Sequence, residues 1–168
     1  MVPVRMKSLR RHDVIHLEAA EGWLELDNAA EAGYELDCVS PEGRRHPEVL
    51  ELRWKILARK RNWLACLETA EALTDVVPRQ AMSWLLLAAS LHELHETEDA
   101  CETLMEVMDE FPDEPAFPYR LACYCCHLGQ LHEAKEWLDQ ACQLGSPELR
   151  RASKADPALK ALWENPDR

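Results

Sequence analysis

The chain has 168 residues, about the size of one domain, and carries a formal net charge of −12 at neutral pH. Proteins that bind nucleic acids or anionic membranes need a basic surface, so this charge argues against both partners. Only five glycines and a charged fraction of 30% favour long, solvent-facing helices over strands and tight turns. Seven cysteines, an odd number, and a basic start that no apolar stretch follows favour a reducing, cytoplasmic location.

Eight helices are predicted after a flexible N-terminus at residues 1–12. Apolar side chains recur at spacings of three and four residues, which is the period of an amphipathic helix. Prolines fall between the resulting segments, where a helix has ended or is in its first turn. The predicted helices span residues 13–26, 29–41, 47–60, 63–76, 81–94, 97–110, 115–128 and 131–144.

A small residue returns every 34 positions across these helices. Its four copies are Ala32, Cys66, Ala100 and Ala134. Four residues after each copy comes another apolar residue, at Leu36, Ala70, Leu104 and Leu138. A residue larger than Ala, Cys or Ser would push two helices apart where they cross, so the small copies mark helix crossings. A fixed period of this length predicts a stacked array of helical units.

The C-terminal residues 148–168 are predicted to form a capping helix and a tail. A capping side chain is followed by proline at Ser146–Pro147 and again at Asp156–Pro157, which is a start signal for a helix. The apolar residues of the second segment are Leu159, Leu162 and Trp163. They would cover the exposed apolar face of the last unit, a cover that repeat arrays need in order to stay soluble.

Residues 81–112 resemble a tetratricopeptide repeat (TPR) in both residue type and spacing. The matching residues are Trp84, Leu87, Ala88, Leu91, Ala100, Leu104, Val107 and Pro112. Residues 115–147 match as well, whereas in residues 47–78 Trp54 takes the small position of the first helix. The resemblance covers residues 13–147 and implies four TPR-like helix–turn–helix units in an all-α, right-handed helical-repeat solenoid.

In tetratricopeptide proteins, the first helix of each unit lines a concave groove that takes an extended peptide or a helix. The resemblance therefore implies a non-enzymatic protein–protein interaction module, a scaffold or adaptor. The groove residues that it implies here are Lys55, Arg59, Leu85, His92, Tyr119, Arg120, Cys123 and His127. Charge runs are usually solvated helix faces, and this interpretation is favoured for Lys55 and Arg59; the functional alternative is that Lys55, Arg59 and Arg120 dock an acidic segment of a partner protein or peptide. Leu85 and Tyr119 would supply apolar contact.

Cys123, Cys126 and His92 form a second candidate site. The two cysteines lie three residues apart on one helical face, and His92 is expected on the adjacent helix. With His127 as a fourth ligand, this set would suit tetrahedral zinc. Zinc ligands more often come in separated pairs on turns, and free cysteine is a common buried residue, so packing is favoured over a metal site. No cofactor is predicted.

The sequence gives no catalytic signature. The segment His92–His95 is one residue short of the zinc-protease spacing, and a glycine-rich phosphate loop is absent. Two alternatives to the scaffold stay open: a small TPR chaperone for one client protein, and a metal- or redox-responsive module through Cys123, Cys126 and His92. Homo-oligomers are a further option, because the groove or array end of one copy can take the capping helix of another.

Overall fold

The computed structural model describes residues 8–164, which contain ten α-helices and no strand. The helices are α1 (Arg11–Glu25), α2 (Ala29–Asp37), α3 (Pro47–Arg59), α4 (Trp63–Val76), α5 (Ala81–Glu93), α6 (Thr97–Val107), α7 (Ala116–His127), α8 (Leu131–Leu144), α9 (Pro147–Ser153) and α10 (Lys160–Glu164). The predicted all-α helical-repeat fold is confirmed. Residues 1–7 of the predicted flexible N-terminus lie outside the described range, and α1 begins at Arg11 rather than at residue 13.

The helices belong to two compact units, the first ending at Leu86 and the second beginning at Leu87. This boundary falls within α5, so residues 81–86 of the helix belong to the first unit and residues 87–93 to the second. Between residues 8 and 164, no helix combines the length and the apolar character needed to cross a membrane.

The core of the first unit lies between α1, α2 and α3. Its buried residues are Leu17, Ala20, Ala32, Leu36, Val39, Val49, Leu52 and Ile56. On each helix these residues are spaced three or four positions apart, so they form one apolar stripe that faces the neighbouring helices. Helix α4 packs against α3 and against the 3-10 turn Gly43–Arg45.

Helix α2 ends at Asp37, four residues before the predicted end at residue 41. Asp13 of α1 accepts hydrogen bonds from the backbone N–H and from the hydroxyl of Ser40, both at 2.8 Å. The Arg44 guanidinium donates to the backbone oxygens of Val39 and Asp37, at 3.1 and 2.9 Å. These side chains satisfy backbone groups that a longer helix would have paired, so tertiary contacts end α2 early.

The second unit packs α7 against α8 and α6. One cluster of buried residues joins α7 and α8 to the C-terminal segment and contains Ala122, Cys123, Cys125, Cys126, Ala134, Leu138, Leu159 and Leu162. The 3-10 turn Pro157–Leu159 contacts α7, and α10 contacts α8, so Leu159 and Leu162 cover this apolar face. Trp163 is instead 44% exposed, and its indole N–H donates to the backbone oxygen of Ser153 at 3.2 Å.

Burial follows the predicted 34-residue period. The four small residues Ala32, Cys66, Ala100 and Ala134 all have 0% exposure. The residues four positions later, Leu36, Ala70, Leu104 and Leu138, are at most 4% exposed. A second position with the same period holds Ala20, Ala88 and Ala122, which all have 0% exposure. The fourth residue at this position is Trp54. Its indole is too large for such a crossing and is only partly buried.

The turn inside each helical pair repeats with the same period. Within residues 8–164, the residues with positive φ are Asp27 (58°), Arg61 (54°), His95 (68°) and Gly129 (77°). The next residue along the chain donates its backbone N–H to the carbonyl five residues earlier, as in the bond from Asn28 to Trp23 at 2.9 Å. This left-handed helix end favours glycine, yet glycine occurs at only one of the four turns.

Candidate functional site

The predicted groove residues of the first unit are Lys55, Arg59 and Leu85. The Lys55 side chain is exposed, and it forms no ion pair within residues 8–164. The Arg59 guanidinium is already paired with the Asp27 carboxylate of the α1–α2 turn. Leu85 lies half-buried on α5. In this unit, one of the two predicted cations is therefore partly neutralised by the chain itself.

The second unit contains a cleft of about 540 Å³ between the end of α5, the outer side of α7 and the C-terminal segment. We call it the second-unit cleft. Four of the predicted groove residues line it: His92, Arg120, Cys123 and His127. The other lining residues are Ala89, Glu93, Tyr124, Cys126, Pro157, Ala158, Lys160, Ala161 and Glu164.

Three rings form a compact stack in the second-unit cleft. The His92 ring stacks on Tyr124 with centroids 4.7 Å apart, and it meets the His127 ring edge-on at 4.9 Å. The Nδ1 atom of His92 lies 3.0 Å from the hydroxyl oxygen of Thr97. Burial, together with the neighbouring His127, lowers the pKa of His92 below its ordinary value, so this imidazole is neutral at pH 7.

Tyr124 is a site residue that the sequence reasoning missed. It is 3% exposed, and its buried hydroxyl has no hydrogen-bond partner within residues 8–164. Burial raises the pKa of this phenol, so it stays protonated and keeps its donor hydrogen. Leaving a buried hydroxyl unpaired costs free energy, which is why such groups are uncommon in folded proteins.

The Tyr119 hydroxyl contacts the C-terminal segment of its own chain. It donates to a carboxylate oxygen of Asp156 at 2.6 Å, and the other oxygen of Asp156 accepts from the backbone N–H of Ala158 at 2.9 Å. Burial and this hydrogen bond raise the pKa of the Tyr119 phenol. The contact joins α7 to the start of the 3-10 turn Pro157–Leu159, and the ring of Tyr119 packs against the buried cluster.

The second candidate site, Cys123, Cys126 and His92, is not assembled as a set of metal ligands. Among residues 8–164, no three histidine, cysteine or acidic side chains converge where they could hold an ion. Burial raises the pKa of Cys123 to about 12 and that of Cys126 to about 11. Both thiols are therefore protonated at neutral pH, whereas thiol nucleophiles and metal ligands act as thiolates. These cysteines serve as small core residues.

The charges of the second-unit cleft are unevenly matched. Lys160 and Glu164 form an ion pair at 3.1 Å across one turn of α10. Arg120 is exposed, and no carboxylate of residues 8–164 lies within ion-pair distance of its guanidinium. The cleft thus presents the unpaired Arg120 next to the stack of His92, Tyr124 and His127. An Arg side chain of this kind binds carboxylates through two parallel hydrogen bonds.

No protein-family model matches this sequence, and no curated protein matches it. Solved structures do match, at low sequence identity. MamA from Desulfovibrio magneticus aligns with a TM-score of 0.73 and 17% identity, over 95% of this chain and 89% of that chain. A TPR protein of Thermus thermophilus gives 0.73 and 19%, over 93% and 84%. PilF of Pseudomonas aeruginosa gives 0.66 and 12%, over 91% and 76%. The chain therefore has a tetratricopeptide-repeat fold.

Proposed function

We propose that this protein is a non-enzymatic interaction module, a scaffold or adaptor, that binds an acidic segment of a partner protein in the second-unit cleft. The observation that carries the proposal is the unpaired Arg120 beside the stack of His92, Tyr124 and His127. A partner carboxylate would gain charge-assisted hydrogen bonds from Arg120. The rings offer a flat, largely apolar surface for the neighbouring part of the segment.

The first unit supplies a separate set of proposed contacts. Lys55 is exposed and has no ion-pair partner in residues 8–164, so it is available to a second acidic group of the partner. Arg59 would have to exchange Asp27 for a partner carboxylate, which makes it the weaker contact of the two. Leu85 would add apolar contact in this unit, as Tyr119 would in the second unit. Arg120 is therefore the residue whose change tests the proposal most directly.

Selection of displayed random peptides on the immobilised protein tests the proposal. We expect the selected sequences to be enriched in Asp and Glu. A labelled peptide from this pool then gives dissociation constants by fluorescence anisotropy for the wild type, Arg120→Glu and Lys135→Glu. Lys135 is an exposed cation of α8 that does not line the cleft, so Lys135→Glu makes the same change of charge elsewhere in the second unit.

Arg120→Glu should weaken binding about tenfold or more, which corresponds to about 1.4 kcal/mol. The control Lys135→Glu should stay within about twofold of the wild type, with the remaining difference removed by salt. Enrichment of basic peptides, or equal weakening by both variants, would contradict the proposed site. Circular dichroism of each variant establishes that it is folded as the wild type is.

A further inference from the structure

Two histidines of the first unit bring their Nε2 atoms together on the outer surface of α1. His12 and His16 are four residues apart, so their side chains are neighbours on one helical face. Their Nε2 atoms lie 3.3 Å apart, and the ring planes are inclined at 63°. The His12 side chain is 68% exposed and that of His16 is 23% exposed, so solvent reaches the pair.

A carboxylate on α2 holds the ring of His16 in place. The Nδ1 atom of His16 lies 2.7 Å from a carboxylate oxygen of Glu35. A carboxylate oxygen can only accept, so Nδ1 carries the donated hydrogen, and the neutral form of the ring then has its lone pair on Nε2. In known metal sites, a carboxylate on the second ring nitrogen fixes the tautomer and increases the basicity of the ligating nitrogen. The Nδ1 atom of His12 lies 3.8 Å from an oxygen of Asp13, which places a carboxylate on that side as well.

The separation of the two Nε2 atoms matches a metal site. Imidazole nitrogens bind zinc at about 2.0–2.1 Å, so two nitrogens at a tetrahedral angle lie about 3.3–3.4 Å apart. The observed 3.3 Å falls at this value. We propose that His12 and His16 bind a divalent transition-metal ion through their two Nε2 atoms, with Glu35 as the positioning residue for His16.

The donor set indicates the class of metal. Two neutral imidazoles suit Zn²⁺, Ni²⁺ and Cu²⁺, whereas Mg²⁺ and Ca²⁺ prefer oxygen ligands. Within residues 8–164, no third histidine, cysteine or acidic side chain completes the set. At least two coordination positions therefore remain for water or for a donor from another molecule. The site belongs to the first unit, whereas Cys123, Cys126 and His92 belong to the second, and it does not depend on the proposed peptide binding.

Titration of the reduced protein with Zn²⁺, read by NMR of the histidine ring nitrogens, tests this site. The chain has seven histidines, so the readout must distinguish them, and the spectra of His12→Ala and His16→Ala assign the two signals. We expect Zn²⁺ to shift the Nε2 resonances of His12 and His16 before those of the other histidines. Calorimetry on the same samples gives the dissociation constants.

Each alanine variant should weaken Zn²⁺ binding about tenfold or more, and Glu35→Gln should weaken it by about tenfold through the loss of orientation. His132→Ala is the matched control, because His132 is an exposed helical histidine with a carboxylate neighbour but no second imidazole, and it should bind as the wild type does. Unshifted Nε2 resonances of His12 and His16 at saturating Zn²⁺ would overturn the proposal. So would wild-type affinity in His12→Ala, an exposed substitution that leaves the core intact.

Discussion

Both units are built from helical pairs, and each buries a large polar side chain, Asp13 in the first unit and Tyr124 in the second, with different partners. In the first unit, the buried carboxylate of Asp13 accepts two hydrogen bonds from Ser40. In the second unit, the buried hydroxyl of Tyr124 has no partner among residues 8–164. The Asp13 carboxylate stabilises the turn at Ser40. The Tyr124 side chain lines the second-unit cleft.

The arginines of the two units also differ in their partners. In the first unit, Arg59 pairs with Asp27 and Arg53 pairs with Asp37, so these charges connect neighbouring helices. In the second unit, Arg120 has no such partner in the described part of the chain. Side chains that form ion pairs with each other stabilise the fold, whereas an unpaired charged side chain is available to bind a ligand. Both units therefore have an exposed cation that is available to the proposed partner, Lys55 in the first and Arg120 in the second.

The largest expected effect on stability concerns a core leucine position that occurs in both units. Leu36 and Leu104 occupy equivalent positions two periods apart, and they are 1% and 0% exposed. Leu36→Ala and Leu104→Ala should each lower the free energy of unfolding by about 2–5 kcal/mol, because each leaves a cavity in a packed core. Urea denaturation measures both.

The control for these two variants is Leu26→Ala, at a leucine that is 74% exposed. Its effect should stay within about 0.5 kcal/mol. A loss in only one of the two core variants would show that the 34-residue period does not define an equivalent core in both units.

A smaller loss is expected at the polar group of the first unit. Asp13→Ala leaves the backbone N–H and the hydroxyl of Ser40 without their acceptor. An unsatisfied buried group of this kind costs about 1–3 kcal/mol. Asp139→Ala, an exposed aspartate of α8, serves as the control in the same denaturation series and should change little.

The loss at Asp13 should also depend on pH. The backbone hydrogen bond from Ser40 is the main cause that lowers the pKa of Asp13 below its ordinary value. A carboxylate with a lowered pKa stabilises the folded state above its unfolded pKa of about 4, and this contribution is lost as the pH falls through the folded value. Thermal melts of the wild type and Asp13→Ala should therefore converge below about pH 4. A constant difference down to pH 2 would contradict this assignment.

The smallest effect is expected at the two tyrosines of the second unit. Tyr119→Phe loses the hydrogen bond to Asp156 and should destabilise the protein by about 1 kcal/mol. Tyr124→Phe removes a buried hydroxyl that has no partner within residues 8–164, so stability should be unchanged or should rise by up to about 1 kcal/mol. Denaturation curves of the two variants, recorded side by side, measure the opposite signs. Equal losses would mean that the Tyr124 hydroxyl has a partner in solution.

The repeat fold was predictable because its information is local and recurs along the chain. A small residue such as Ala100 and an apolar residue such as Leu104 mark the same helix crossing in every unit, so each copy supports the others. Helix ends that depend on one distant side chain were not predictable. Helix α2 ends early because Asp13 accepts a hydrogen bond from Ser40, which lies 27 residues later in the chain. The other described helical pairs do not repeat this contact.

The candidate site was predictable only in part. His92, Arg120, Cys123 and His127 follow from their positions in the first helices, and all four line the second-unit cleft. Its other wall comes from the C-terminal segment, which is outside the repeat, so the period gives no information about its contacts. The pairing of Tyr119 with Asp156 spans 37 residues, and the sequence around neither residue indicates it.

The left-handed turns affect which substitutions the protein can accept without loss of stability. A residue with a side chain costs about 1–2 kcal/mol in this conformation, and three of the four turns carry one. The side chain of Asp27 is engaged by Arg59, whereas Arg61 is exposed, so a glycine at Arg61 would remove strain and expose no core. A stabilising glycine substitution at such a turn can therefore compensate for a moderately destabilising substitution elsewhere in the first unit.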